Sequence, residues 1–199
     1  MARARKGEGE VREIVLASAS PRRREILRML GIPFRAEESG VEEGTTGDPL
    51  SCALTLSQRK ALAVAERAGK DAIVVGVDTI VALDGKVLGK PSGPQEAVEM
   101  LGKLSGRVHR VYSGLTVAYG GRLLSDYRCT EVRVRRISPE EIEAYVATGE
   151  PLDKAGAYAV QGRGAAFVEE IRGCFYNVVG LPVCALLELL AKVGWRFRI

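Results

Sequence analysis

A single histidine, His109, serves the whole of a 199-residue chain. A Ser-His-Asp or Cys-His site would have to use it, and a histidine-rich zinc site is impossible. His109 sits between Val108 and Val111 in a stretch that reads as a strand, which suits a structural role. Hydrolytic chemistry here is expected to rest on carboxylates, lysines and arginines, with or without a hard metal ion. Cysteine is also scarce. Cys52, Cys129, Cys174 and Cys184 include no C-x-x-C pair, and the chain is too large to need disulfide staples. They read as reduced thiols of a cytosolic protein, packed as small buried hydrophobes. No apolar run approaches the roughly 20 residues of a membrane span. The opening "MARARKGEGE" lacks the apolar centre of a secretory signal. Residues 1–12 read as a frayed, solvated tail, and 13–199 as one domain.

No dense basic stretch is present either. The formal net charge is +4, and four basic and two acidic residues in 1–12 supply +2 of it. That argues against a binder of polymeric nucleic acid but leaves room for a local anion site. With 46% hydrophobic residues the chain can bury one sizeable core or two small lobes. Asparagine appears once and glutamine three times.

Along the chain, "EIVLAS" (13–18) predicts a strand. A helix should follow, with Ser20 as N-cap, Pro21 at the first position and Gly31 at the end. A second helix should run from Asp48-Pro49 to Gly69, burying a stripe of Leu50, Leu54, Ala61, Val64 and Ala68. "AIVVGVDTIVAL" (72–83) reads as a buried strand, and Asp84-Gly85 as a two-residue hairpin turn into "KVLGK". Helices are expected over "GPQEAVEMLGKLSG", "SPEEIEAYVATG" and about Leu181 to Lys192, with two long strands flanking Gly120-Gly121. Hairpins mixed with helical crossovers predict an α/β fold with a mixed sheet.

Three stretches carry possible chemistry. In "LASASPRRREIL" three arginines occupy the first turn of a helix, where the dipole disfavours cations. They are either solvated charges or ligands of an anion. A phosphate there would be held by free amides, by Ser18 and Ser20 and by guanidinium forks. In "GVDTIVALDGKVLGKP" an Asp interrupts an apolar strand, which is costly unless it is paired or functional. A two-residue turn at 84–85 sets Thr79 opposite Lys90 and brings Asp78 near. Strict alternation then puts Asp78 on the other face, so a bulge or strand end would have to bring it round. In "GEPLDKAGAYAVQG", Glu150, Asp153 and Lys154 run into small residues, and Gln161 offers the donor and acceptor that a base edge needs. Glu42-Glu43 read as metal or base carboxylates or as a polar loop, and Lys60 lies beside the second helix's stripe. No Walker or dinucleotide motif is present; "GRG" at 162–164 is too short to count.

"LASASPRR", "GVDTIVALDGKVLGKP", "GEPLDKAGAYAVQGRG" and "GCFYNVVGLP", in that order, resemble the Maf family of nucleoside triphosphate pyrophosphatases across about 13–195. The resemblance implies a fold related to inosine-triphosphate pyrophosphatases, with two α/β lobes around a long curved mixed sheet and a central cleft. It implies hydrolysis of a nucleoside triphosphate to monophosphate and pyrophosphate with Mg²⁺ or Mn²⁺, as house-cleaning or control of the nucleotide pool. It makes Asp78 the proton acceptor and ties Ser20, Arg22, Arg23, Glu43, Lys60 and Lys90 to activity. Asp78 and Glu43 are the metal-ligand candidates. Arg22, Thr79 and Gln161 match the branch acting on dTTP and UTP and differ from the branch acting on 7-methyl-GTP. Ser18, Asp153 and Lys154 complete the expected substrate contacts. Departures are small: "GVDT" for G-A-D-T, and Val134 where Phe is common. A cytoplasmic homodimer is the family expectation. The rival readings are a 7-methyl-GTP pyrophosphatase and a nucleotide-binding regulator of cell division.

Overall fold

The computed structural model describes residues 12–42, 44 and 47–198. Seven strands form one mixed sheet: β1 (Ile14–Ala17), β2 (Phe34–Ala36), β3 (Ile73–Leu83), β4 (Lys86–Leu88), β5 (Val108–Tyr119), β6 (Arg122–Val134) and β7 (Val168–Arg172). The order is β2-β1-β3-β5-β6-β7, with β4 on β3. β1 runs parallel to β2 and β3, and every other pairing is antiparallel. The helices are α1 (Pro21–Met29), α2 (Pro49–Ala68), α3 (Pro94–Leu104), α4 (Pro139–Val146), α5 (Phe175–Val179) and α6 (Val183–Lys192). Four of the six begin at proline, whose missing N–H costs nothing there.

Two cores share the long strands. Ile26 and Leu27 of α1 and Leu186, Leu189 and Leu190 of α6 close on Leu16, Val75, Val77, Leu115 and Val117. At the other end of the sheet, α3 and α4 pack Leu101, Leu104, Ile142 and Tyr145 with Leu83 and Val134. These are the two lobes, and β3 passes from one to the other.

The β3–β4 hairpin has the expected register, Val81 on Leu88 and Leu83 on Lys86. Asp84 and Gly85 take φ of 50° and 76°, as a turn with two left-handed residues needs. The ladder stops at Leu88, however, so the expected pairing of Thr79 with Lys90 does not form. Gly89 instead turns its carbonyl to the Gly156 amide at 3.0 Å.

Other expectations are corrected. Ser20 occupies the N-cap position of α1, but its side chain makes no capping bond. The end of the helix is as expected: Leu30 is the cap and Gly31 follows it with a φ of 65°, its amide on the Arg28 carbonyl at 2.9 Å and the Ile32 amide on the Leu27 carbonyl at 3.0 Å. α2 has its predicted ends, yet its buried face is Ala53, Leu56, Ser57, Lys60, Ala61 and Val64; Leu50 and Leu54 are only half-buried. The reason is steric. Gly76 of β3 and Gly114 of β5 let the helix backbone lie against the sheet, and a Cβ on either would fall 2.2 Å from the Ser57 or Ala53 carbonyl oxygen. Small residues must therefore face the sheet. Among the cysteines only Cys52 is buried; Cys129 and Cys184 are exposed, because strand alternation and the outer face of α6 place them there. None of the four is in a disulfide. Arg12, read as tail, is held: it donates to the Val193 carbonyl at 2.7 Å and covers the Tyr119 ring. β2, β7 and α5 are too short for the sequence pattern to reveal.

Candidate functional site

β1 pairs with β3 only as far as Gly76, and β4 takes up the same edge at Val81. Between them, residues 77–80 have ladder partners on the β5 side alone. The edge is open where the lobes part, and Asp78 and Thr79 lie in that gap. Helix α1 starts just beyond the end of β1, so the free amides of its first turn face the same place. A cleft of about 760 Å³ forms there.

The cleft gathers the charged stretches read from the sequence. Ser18, Ser20, Arg22, Arg23, Lys60, Asp78, Thr79, Lys90, Asp153, Lys154 and Gln161 all line it, drawn from both lobes. Glu43 and the base-or-metal reading attached to it lie outside the described residues. His109 is away from the cleft wall. It is 1% exposed, its Nε2 lies 2.9 Å from the Tyr158 hydroxyl, and burial lowers its pKa to about 4.

Asp78 and Thr79 do point to opposite faces of β3, and no bulge is needed to make use of both. On the α2 side, Lys60 Nζ donates to Asp78 Oδ1 at 2.5 Å, with both side chains buried. Neither charge would be tolerated there alone, since an unpaired buried ion costs several kcal/mol. On the other side, Thr79 joins a hydrogen-bonded row. Its Oγ1 receives Arg23 Nη2 at 3.1 Å and lies 2.9 Å from Ser113 Oγ.

The three arginines have different employment. Arg22 is half-buried on the cleft wall. Arg23 is buried and braces the wall from within, donating to the Gly180 carbonyl at 2.8 Å, Ser18 Oγ at 2.9 Å and Thr79. Arg24 turns away and donates to the Ser18 carbonyl at 3.3 Å. Arg23 thus ties β1, β3 and the turn before α6 together, while Arg22 faces the cavity.

On the opposite wall, Lys154 donates to Asp153 and to the Glu150 carbonyl. The Lys154 hydrogen bond, with Arg22 adding at longer range, holds the Asp153 carboxyl below its ordinary pKa. Glu150 feels burial first, which raises its pKa, but the Arg163 and Gly164 amides outweigh it and the net shift is downward.

Sequence reasoning did not single out Ser113, Asn177 and Tyr145. Asn177 is fully buried and donates to the Val111 carbonyl and to Thr130 Oγ1. The signal available was that it is the chain's one asparagine, set in the apolar run "FYNVVG".

A family profile described as Maf-like protein matches residues 13–193. A dTTP/UTP pyrophosphatase of Pelotomaculum thermopropionicum is 48% identical over 190 residues, covering 94% of this chain and 99% of that protein. One of Bacillus cereus (strain ATCC 10987 / NRS 248) is 46% identical over 188 residues, covering 93% and 92%. Among solved structures, the Staphylococcus aureus Ham1 protein matches 92% of this chain and 100% of that chain, with a TM-score of 0.50 at 16% identity. That last likeness is one of fold.

Proposed function

Because this chain belongs to the Maf family, we propose that its cleft hydrolyses dTTP and UTP to the monophosphate and pyrophosphate. The observation that carries this reading is the buried Asp78–Lys60 pair, which opens on a cavity also lined by Arg22, Lys90 and Lys154. A carboxylate able to take a proton thus stands among cations able to hold a polyphosphate.

In the proposed reaction a water oxygen bonds to the α-phosphorus as the bond to the bridging oxygen breaks. Pyrophosphate leaves with that electron pair, and Asp78 takes the proton from the water. Lys60 aims Asp78 through their 2.5 Å hydrogen bond. Arg22, Lys90, Lys154 and the first-turn amides of α1 hold the phosphates and the charge that gathers on the leaving group. Arg23 acts from behind, by fixing Ser18 and Thr79.

The donor set fits a hard cation. Carboxylate oxygens line the cleft, imidazole and thiolate do not, and Mg²⁺ takes one or two carboxylates with phosphate oxygens and water. Among the described residues no three His, Cys, Asp or Glu side chains cluster as a self-sufficient site. Asp78 would hold the ion, together with the Glu43 suggested by the sequence. When bound, Mg²⁺ or Mn²⁺ neutralises phosphate charge and makes the attacking water more acidic. Four cysteines with no disulfide between them accord with a cytoplasmic enzyme.

For the base, Gln161 donates to O4 and accepts from N3–H, the pair that thymine and uracil share. A carboxylate at this position cannot donate and would repel O4. The test is pyrophosphate release from dTTP, UTP, CTP, dATP and GTP with Mg²⁺ or Mn²⁺. The UTP/CTP ratio of kcat/KM reads this contact, because cytosine inverts the donor and acceptor; it should favour UTP in the wild type and fall about tenfold or more in Gln161→Glu, since an unpaired polar edge costs roughly 1–3 kcal/mol. An unchanged ratio would show that Gln161 does not read the base.

A further inference from the structure

We infer that Glu150 is a positioning residue for base recognition, acting through the loop that carries Gln161; the inference rests on the base reading proposed above.

Three donors converge on its carboxylate. Oε1 accepts from the Tyr145 hydroxyl at 2.8 Å and from the Gly164 amide at 3.1 Å; Oε2 accepts from the Arg163 amide at 3.0 Å. The Tyr145 oxygen in turn accepts from the Ala159 amide at 3.2 Å. Amides at 159, 163 and 164 are thus anchored to one carboxylate–phenol pair, and Gln161 stands midway between the anchors. Gln161 is itself exposed and belongs to no helix or strand. Without a ladder, its position depends on what holds the two ends of its loop.

The glycines of "GRG" follow from the same geometry. A Cβ at Gly162 would come 2.4 Å from Glu150 Oε1, and a Cβ at Gly164 would come 2.8 Å from the Tyr145 hydroxyl. The motif is no dinucleotide fingerprint; it clears space for a carboxylate and a phenol beneath the loop. The carboxylate's hold is electrostatic as well as geometric, because the loop amides keep it ionised in spite of burial.

All three partners are donors, so glutamine is a poor substitute. It has one acceptor oxygen, and its amide N–H₂ would face a backbone N–H. Phenylalanine at 145 removes one donor and leaves both carboxylate–amide bonds.

The experiment measures the UTP/CTP ratio of kcat/KM in the wild type, Glu150→Gln, Tyr145→Phe, Gln161→Ala and the double variant Glu150→Gln/Gln161→Ala. The ratio is independent of the fraction of enzyme that folds, so a purely structural role would leave it unmoved. Glu150→Gln should lower it about tenfold or more, Tyr145→Phe less, and the double variant no further than Gln161→Ala alone. If Gln161→Ala lowers the ratio and Glu150→Gln does not, positioning by Glu150 is wrong while base reading stands. If Gln161→Ala leaves the ratio unchanged, both are overturned. Additive losses in the double variant would also overturn the inference, since they would mean that Glu150 acts by another route.

Discussion

Lys60 and Asp78, 18 residues apart in sequence and on different elements, meet through a 2.5 Å hydrogen bond in the floor of the cleft. The pair joins catalysis to folding, because it supplies the proposed base and is also the condition on which α2 can bury a lysine against the sheet. Asp78→Asn keeps the shape but removes the charge. Turnover should fall about 10²- to 10⁴-fold, with nucleotide binding largely retained. Steady-state pyrophosphate release and calorimetry on the same preparation check this; a variant keeping more than about a tenth of wild-type turnover rules out Asp78 as the base.

The same pair predicts a stability effect that a purely catalytic contact would lack. Lys60→Ala leaves Asp78 buried beside a void. Urea unfolding should report a loss of about 3–5 kcal/mol, and a loss below about 1 kcal/mol, the level of an exposed pair, would contradict the burial described.

Gly114 lies opposite Asp78 in the sheet and under Ala53 of α2. A methyl group there has no room, since its contact is helix backbone and not the movable end of a side chain. Gly114→Ala should push α2 off the sheet and carry Lys60 away from Asp78. Stability should drop by about 1–3 kcal/mol or more, and kcat should fall with it. Unchanged thermal unfolding and kcat would show that the helix has slack.

Arg22 and Arg23 are neighbours with separable phenotypes. Arg22→Ala should weaken triphosphate binding far more than nucleoside binding and leave unfolding nearly unchanged. Arg23→Ala removes three hydrogen bonds, two of them buried, and should lower the melting temperature as well. Titration calorimetry with UTP and uridine, beside thermal melts, separates the two; matching profiles would refute the division of labour.

His109 should set an acid-side slope in stability. Burial lowers its pKa from 6.5 to about 4, so the folded protein binds fewer protons than the unfolded chain between those values. Its contribution is complete above pH 6.5 and is lost as pH falls toward 4. Between pH 7 and pH 5 the loss from this group is about 2 kcal/mol. The change in unfolding free energy between the two pH values, from urea titrations, should be larger in the wild type than in His109→Gln by that amount. Parallel dependences would mean that His109 is not buried neutral.

Much of this protein is legible in one dimension. The helix starts at Pro21, Pro49, Pro94 and Pro139 follow from proline and its preceding residues. The β3–β4 register follows from Asp84-Gly85, and the location of the charged stretches from their order along the chain. Each depends on dihedral preferences within a few residues, which a sequence states directly. The resemblance to the Maf family was legible for the same reason, being carried by short runs.

Other matters depended on what packs against what. Lys60 meets Asp78 on its own face of β3 because α2 crosses over Gly76 and Gly114. The face α2 buries is set by those two glycines, far from it in sequence, and no helical periodicity encodes them. Arg22, Arg23 and Arg24 look alike as a run of charge, yet one faces the cavity, one braces the wall and one turns away, because a helix rotates its successive residues by about 100°. Glu150 looked like one more loop charge until Tyr145 and the amides of residues 163 and 164 came within 3.1 Å of it. Spacing along the chain determines which groups exist and which turns they adopt. Distances between groups far apart in sequence exist only once the cores of the two lobes have closed around the sheet.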